Sequence, residues 1–508
     1  MSVGMLARRR VEFGDFQTPA DLAAAVCRVL ANERPATLIE PTCGTGTFLA
    51  AALAAFPDVR RAIGRDINAR SVAAARCTVA RIPSAAQCQL RRGDFFRTDW
   101  SNLLAACAEP LLILGNPPWV TNSALGVLGS GNLPPKQNLP GRSGLEGLTG
   151  KSNFDVSEWM IGRLLEAAAG RRATLAMLCK TAVARRVLAR AWETALPLAS
   201  CEIRPIDAAR HFGVRVDACL LICRSAAGAT GVAECRVTDD LETSPGPRAF
   251  GWRDGRLVAD VAAYERVKPL LGGQARWRSG VKHDCSAVFE FRDEHGQLVN
   301  GLDEVVDLEP DYLYPLLKSS DVGIVARAGS RRLERPVGRQ SFNGRQVLVP
   351  QRRVGEATDA IAARAPKTWQ YLERHAARLD RRASRVYQKQ PRFSIFGVGP
   401  YTFTPWKVAV SGFYKRPQFA PIGPRGGRPV VCDDTCYFLP CKSAAAARAL
   451  ARHLNGPLAR EFFAAFCFTD AKRPLTAEIL GSLDLAALPR EGERTCPDRG
   501  RCRTLPRC

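Results

Sequence analysis

Between residues 20 and 225, short apolar runs alternate with segments whose apolar positions recur at helical spacing. Runs at 37–40, 62–66, 88–91, 111–115, 172–179 and 218–223 predict strands. Segments such as 19–32 and 159–169 predict helices between them. This alternation predicts an α/β unit, a mostly parallel sheet with helices on both faces. The connections are short, except for a Gly-, Pro- and Asn-rich insert at 121–153 that lacks periodicity; a long loop in such a unit usually has a function. From 225 to 255 the pattern shifts to Gly, Pro, Thr and charged residues, and beyond it strands and aromatics dominate. A boundary near 235 follows. The expected organisation is a first domain over 1–235, a mixed α+β domain over 236–490 and a disordered Arg- and Cys-containing tail over 491–508. No internal repeat is present.

Composition agrees with two domains, since 508 residues at 46% hydrophobic content exceed one compact core. No run approaches the roughly 18 apolar residues of a membrane span, and no signal-peptide stretch follows the arginines of residues 1–10. A cytoplasmic protein with no membrane partner is expected. The 73 Lys and Arg against 49 Asp and Glu leave +24, mostly through arginine, which suits a polyanionic partner. An Ala- and Arg-rich composition also follows from a GC-rich genome, so charge is supporting evidence only. In the second half, Arg331-Arg332, Arg352-Arg353, Arg381-Arg382 and Lys415-Arg416 interleave with Tyr387, Phe393, Phe396, Tyr401, Phe403, Trp406, Phe413 and Tyr414. Such a pattern fits nucleic-acid binding, and fits a solvated face over an aromatic core about as well. Most of the 18 cysteines, Cys27, Cys107, Cys179, Cys219 and Cys223 among them, sit singly in apolar segments and read as reduced core residues. Cys496, Cys502 and Cys508 in the tail have no Cys-x-x-Cys pair and no histidine, so no metal site is expected.

Candidate chemistry begins with Glu40-Pro41-Thr42-Cys43-Gly44-Thr45-Gly46-Thr47-Phe48, between a strand and a helix. A turn with two glycines lets backbone approach a cofactor such as the methionine part of S-adenosylmethionine, and Glu40 can reach an ammonium group. Pro41, Cys43, Gly44 and Gly46 join it as cofactor-binding candidates. The loop lacks the Gly-Lys-Ser/Thr ending of a phosphate loop. Next, Arg65-Asp66-Ile67-Asn68 ends a strand where Asp66 can accept both ribose hydroxyls, with Ile67 beside it. Gly93-Asp94-Phe95-Phe96 follows the third strand, with Asp94 placed to accept from an adenine amino group and Phe95 to pack on the ring. Each acid alone is more often a helix cap or surface residue. Their order at the carboxyl ends of consecutive strands favours a ligand site.

Asn116-Pro117-Pro118-Trp119 ends the buried run 111–115. Two prolines fix an extended turn and remove two backbone donors, leaving carbonyls to accept. An exocyclic amino nitrogen is a poor nucleophile because its lone pair is delocalised. If the Asn116 side-chain oxygen and the Pro117 carbonyl accept its hydrogens, the nitrogen pyramidalises and its lone pair turns toward a sulfonium methyl. Trp119 can stack on the base. Pro118 completes the catalytic set, and Asn116 also borders the cofactor; no covalent intermediate is needed.

These motifs, in this order over most of residues 13–225, resemble the gamma group of DNA amino-methyltransferases. Phe13-Gly14-Asp15-Phe16-Gln17-Thr18-Pro19 is similar to that group's N-terminal segment, implying cofactor contacts from Phe16, Thr18 and Pro19. His211-Phe212-Gly213-Val214-Arg215-Val216-Asp217-Ala218 resembles a later motif whose Phe packs on the flipped base, which makes Phe212 a second aromatic clamp. Ser152-Asn153-Phe154-Asp155 sits where the group has an acidic residue near the cofactor. The group's aromatic is usually Tyr or Phe; Trp119 implies a wider pocket. Gly280-Val281-Lys282-His283-Asp284-Cys285, Leu317-Lys318-Ser319-Ser320-Asp321 and Ser411-Gly412-Phe413-Tyr414-Lys415 look like C-terminal regions of restriction-modification methyltransferases and carry no chemistry of their own.

The resemblance implies a Rossmann-like S-adenosylmethionine-binding domain and a target-recognition domain, methylating N6 of adenine flipped from double-stranded DNA, with the insert helping to enclose the base. It also implies a monomer acting beside a separately encoded restriction endonuclease. RNA guanine amino-methyltransferases and release-factor glutamine methyltransferases share Asn-Pro-Pro-aromatic and are the alternative; the long basic second half favours duplex DNA. Cytosine-5 chemistry needs an earlier Pro-Cys than Pro440-Cys441. A fused nuclease needs a Pro-Asp upstream of Asp470-Ala471-Lys472 and more chain before residue 13. A non-catalytic relic needs a broken motif, and both motifs are intact.

Overall fold

In the computed structural model the first half folds around one ten-stranded sheet. Its strands in chain order are β1 (Thr37–Glu40), β2 (Arg61–Asp66), β3 (Gln87–Arg92), β4 (Leu111–Gly115), β5 (Ala173–Lys180), β6 (Leu198–Ile206), β7 (Ala218–Ser225), β8 (Glu234–Val237), β9 (Ala249–Arg253) and β10 (Arg256–Val258). They lie in the order β3-β2-β1-β4-β5-β7-β6-β8-β9-β10. Strands β1 to β5 run parallel, the first four of them ending in motifs, and β7 is inserted antiparallel between β5 and β6. The structure describes residues 17–120, 155–327 and 344–488. Phe16, the insert at 121–153, Arg331-Arg332 and the tail lie outside the described residues.

Side-chain alternation puts Leu38, Leu112, Leu114 and Leu178 in one cluster with helices α1 (Ala20–Val29), α2 (Thr47–Ala55) and α3 (Ala69–Val79). Ile39, Ile113 and Met177, between them in sequence, are also buried and point to the opposite face. There α5 (Val156–Ala168) and α6 (Thr181–Glu193) pack on β5 and β7, and the short α4 (Trp100–Ala105) packs on α5. Strand β4, buried over its whole length, reads as an unbroken apolar run, whereas edge strand β3 buries only Leu90. Because β1 leads to β2 and β3 on one side and lies against β4 on the other, the sheet has a switch point between β1 and β4. A crevice opens there at the carboxyl ends.

Two features depart from the sequence pattern. Strand β6 was not among the expected strands, since Glu202, Arg204 and Pro205 interrupt its apolar run. In the fold, Glu202 and Arg204 pair with each other, and Arg204 donates to the carbonyls of Leu241 and Thr243 at 2.8 and 2.9 Å. The compact units are Met1–Ala262 and Ala263–Cys508, a later division than 235. Strands β8 to β10, short and separated by Gly and Pro, extend the large sheet beyond β6.

The second unit contains a four-stranded antiparallel sheet, ordered Arg278–Ser279, Cys436–Cys441, Trp406–Ser411, Phe419–Ile422. Its six-stranded sheet joins Leu313–Leu317 to Val431–Cys432 in parallel. The three C-terminal segments without chemistry meet at the junction of these strands. Gly280 and Val281 donate to the Cys436 and Cys432 carbonyls at 3.0 and 2.7 Å, Ser411 donates to Ser319 at 3.0 Å, and Tyr414 donates to the Ser319 carbonyl at 2.9 Å. A Cβ at Gly280 would stand 2.1 Å from the Asp433 carbonyl oxygen, so only glycine allows this approach. The cysteines of the described residues are free thiols, most of them buried, as expected of core residues.

Lys407 is fully buried in the second unit, donating to the carbonyls of Thr402 and Val430. Burial lowers its ammonium from 10.5 to about 8. A neutral amine can still donate both bonds, so losing the proton removes a buried charge without breaking either. Below pH 8 folded and unfolded chains are both protonated and the burial penalty is complete. Between 8 and 10.5 only the unfolded chain keeps its proton, and stability rises with pH. From about pH 7 to about pH 10, wild type should gain on the order of 2 to 3 kcal/mol relative to Lys407→Met. Urea midpoints of the two proteins measure this, and parallel pH curves would refute it.

Candidate active site

The loop after β1 is held by acids. Glu40, buried at the end of β1, accepts the Leu49 N–H at 3.1 Å within the first turn of α2. Burial holds its carboxyl well above the usual carboxylate range, and the charge of Asp66 adds to this. Asp66, at the end of β2, accepts from the Gly44 amide at 3.0 Å and the Asn68 amide at 2.8 Å. Gly44 and Gly46 have φ of +47° and +81°, where glycine is favoured. Their tasks differ. A Cβ on Gly46 would lie 2.9 Å from the Cα and Cβ of Ala75 in α3, so this glycine serves helix packing; one on Gly44 would meet the Gln17 carboxamide. Gln17 in turn accepts from the Thr45 hydroxyl at 2.8 Å. Burial pushes the Cys43 thiol up, which makes it an inert wall residue.

A cavity of about 480 Å³ opens over these strand ends, within the roughly 300–1000 Å³ of small-molecule sites. Of the residues expected to bind cofactor, Thr18, Glu40, Pro41, Cys43, Gly44, Asp66, Ile67, Phe95 and Asn116 line it. Pro19 instead opens α1, and Gly46 lies behind the loop. Asp94 does not line the cavity either. Its carboxylate caps the Phe96 amide at 2.9 Å and pairs with Arg97 at 3.5 Å, because Asp94 begins a short 3-10 turn. Its neighbours Phe95 and Phe96 form that wall. Phe95 packs on Trp100 at 4.8 Å and Phe96 on Trp159 at 5.1 Å.

The Asn-Pro-Pro-Trp turn emerges from β4 beside this wall. Asn116 and Pro118 line the cavity, while Pro117 is buried. Trp119 is only 6% exposed and sits in the core cluster, donating its indole N–H to the Leu178 carbonyl at 3.2 Å. Phe212, half-buried, meets it edge to face with centroids 5.1 Å apart. The two expected base clamps are therefore brought together, but in contact with each other. The size of Trp119 is absorbed by the core. Asp155 is turned away from the cavity, pairing with Lys180 at 2.7 Å and accepting from the Ser157 amide at 3.1 Å.

Sequence motifs did not single out Phe96, Val156, Met160 or Lys180. Val156 and Met160 are apolar wall residues of α5 and carry no chemical signal. Lys180 does have one: it ends β5, at the carboxyl edge that supplied Glu40 and Asp66. No group of three or more His, Cys, Asp or Glu among the described residues could hold a metal, and no described helix is long and apolar enough to cross a membrane.

The sheet order, the glycine loop and a cavity that places Glu40 and Asp66 beside Ile67, Phe95 and Phe96 define a Rossmann-like methyltransferase. An ammonium group, a ribose and a flat base, the parts of S-adenosylmethionine, find chemically matching residues there, and S-adenosylmethionine is its cofactor. Relatives make the class narrower. The chain is 41% identical over 485 residues to the type II methyltransferase M.NspV of Nostoc sp. (strain ATCC 29411 / PCC 7524), covering 95% of this chain and 98% of that protein. It is 31% identical over 114 residues to the type II methyltransferase M.CvrRI of Paramecium bursaria Chlorella virus XZ-6E, covering 22% of this chain and 26% of that one. Among solved structures, its fold is similar to the type IIL restriction-modification enzyme MmeI in complex with DNA, at a TM-score of 0.52 and 13% identity, over 94% of this chain and 65% of that one. No family model matches. The chain belongs to the type II methyltransferases, the DNA methyltransferases of restriction-modification systems.

The packing at Gly46 gives a direct check. Gly46→Ala should force α3 away from the loop and lower stability by roughly 1–3 kcal/mol. Thermal unfolding without cofactor measures it, and an unchanged midpoint would show that the close approach to Ala75 is not needed.

Proposed function

We propose that the protein methylates the exocyclic N6 amino group of adenine at a specific sequence in duplex DNA. The observation that carries this reading is that Asn116 and Pro118 line the same cavity as Glu40, Gly44, Asp66 and Phe95. When bound, S-adenosylmethionine supplies an electrophilic methyl group on its sulfonium sulfur. Glu40 answers the ammonium of its methionine part, Asp66 accepts the ribose hydroxyls, and Phe95 with Ile67 packs on its base.

The chain's own work is done at the turn. Asn116 Oδ1 and the Pro117 carbonyl accept the two amino hydrogens, which draws the nitrogen out of conjugation and aims its lone pair. The prolines cannot donate, so they do not compete for these acceptors. Phe212, half exposed, offers the stacking face for the base, and Trp119 backs it. Adenine reaches this depth only by leaving the helix. The second unit, over about the last half of the chain, reads the target, and the protein acts as a cytoplasmic monomer with cleavage left to a separately encoded endonuclease.

Single-molecule sequencing of DNA from cells expressing the protein should show modified adenine in one fixed context. Absence of any adenine signal would overturn the reading and point to RNA or to a protein glutamine. Asn116→Ala should lower the methyl-transfer rate by about 100- to 1000-fold while leaving cofactor affinity within roughly threefold; retained activity removes Asn116 from the mechanism. Asp66→Ala should instead weaken cofactor binding by about 10- to 100-fold, since charged acceptors are lost. Calorimetry measures it, and an unchanged dissociation constant would take Asp66 out of the site.

A further inference from the structure

Lys180 stands at the carboxyl end of β5, and its ammonium touches two elements. It donates to the Trp119 carbonyl at 3.1 Å and pairs with Asp155 at 2.7 Å. Asp155 is 4% exposed, and its carboxylate also accepts the Ser157 amide and hydroxyl at the start of α5. Beside it, the Val156 amide donates to the Val120 carbonyl at 2.8 Å. Two residues earlier in β5, the Leu178 carbonyl takes the Trp119 indole N–H. Trp119 is thus fixed to one strand twice, through its ring by Leu178 and through its backbone by Lys180.

We propose that Lys180 is a positioning residue for methyl transfer at the Asn116 turn, acting through the Trp119 carbonyl. The chain between Asn116 and Trp119 has few free torsions, because both prolines fix φ. Where Trp119 is held therefore decides where the Asn116 oxygen and the Pro117 carbonyl point. A charge-assisted bond from an ammonium is stronger than one from a neutral donor, and buried Asp155 keeps that ammonium in place. Lys180 touches neither the cavity nor the reacting atoms. Its effect is on geometry, where an error of about 1 Å costs roughly 100-fold in rate. The proposal rests on the methyl-transfer reading of this turn.

Lys180→Met alone leaves buried Asp155 without its cation, so the test pairs it with Asp155→Asn in a double variant that removes both charges and keeps an acceptor for the Ser157 amide. With cofactor and DNA saturating, single-turnover methylation by the double variant should fall about 100-fold, with the cofactor dissociation constant within roughly threefold of wild type. Amide hydrogen exchange at Asn116, Trp119 and Val120 should speed up. Lys180→Arg, which keeps charge and donors, should recover the rate to within about tenfold of wild type. A double-variant rate within about threefold of wild type, or a rate lost only in step with cofactor affinity, overturns the assignment. If wild type itself methylates no adenine in DNA, the functional reading fails instead. The exchange measurement still decides the clamp, because unchanged exchange at Asn116, Trp119 and Val120 overturns it.

Discussion

Strand β4 is hydrogen-bonded on both edges, to β1 and to β5, and buried through all five residues. The chain therefore leaves the sheet at Gly115 with its position and direction fixed by the core. The methyl-transfer role proposed for the Asn116 turn needs this, because in it a side-chain oxygen and a backbone carbonyl converge on one nitrogen, and a loose loop cannot hold both. The neighbouring strands complete the arrangement. Strand β1 ends on Glu40, beneath the cofactor loop, and β5 ends on Lys180, against the turn. A ligand in the crevice is thus faced by the ends of strands locked in register with one another.

The acids of the cavity have a second task. Glu40 and Asp66 orient amides of the glycine loop and of α2, so the loop keeps its shape through carboxylates that the sequence assigned to the ligand alone. Each carboxylate oxygen has more than one lone pair, so a backbone bond leaves room for a ligand bond. Burial and the charge of Asp66 make Glu40 costly to ionise, although the Leu49 amide bond favours the charged form. The ammonium group proposed to bind there would restore the charged form and so couple cofactor binding to the electrostatics of the loop.

Much of this was legible because strand-end motifs are local. Leu111 to Trp119 states both a buried strand and an unusual turn, and the order of Glu40, Asp66 and Phe95 reflects the order of strands. Contacts set by tertiary packing were not legible. Asp94 has the right position in sequence, yet its neighbours Gly93, Phe95 and Phe96 line the cavity and it does not, and Gly46 looks like a ligand glycine although its Cβ position is closed by Ala75. Trp119 and Phe212 lie 93 residues apart, and nothing in their spacing reveals that one ring seals the other. Strand β6 was hidden for the opposite reason: its buried charged residues, Glu202 and Arg204, form an ion pair within the sheet and so break the apolar pattern that marks a strand.

The basic character of the second unit divides in the same way. Arg382 donates to the carbonyls of His283 and Ser394 and stacks 3.7 Å from the Tyr387 ring. Arg278 lies 4.5 Å over Tyr401, Arg428 donates to the Pro310 and Leu313 carbonyls, and Arg345 donates to both carboxylate oxygens of Asp321. These guanidiniums build the unit, and several of the interleaved aromatics are their partners. A planar cation with five donors can stack on a ring while it bonds carbonyls at its edge, which an ammonium cannot do. Net charge therefore overstates the surface open to a polyanion. Among the doublets read from the sequence, Arg353, Arg381, Lys415 and Arg416 remain exposed, while Arg352, also exposed, is steadied 5.2 Å over Phe403. The salt dependence of DNA binding counts phosphates neutralised and not charges carried, so a slope set by such residues is shallower than +24 suggests.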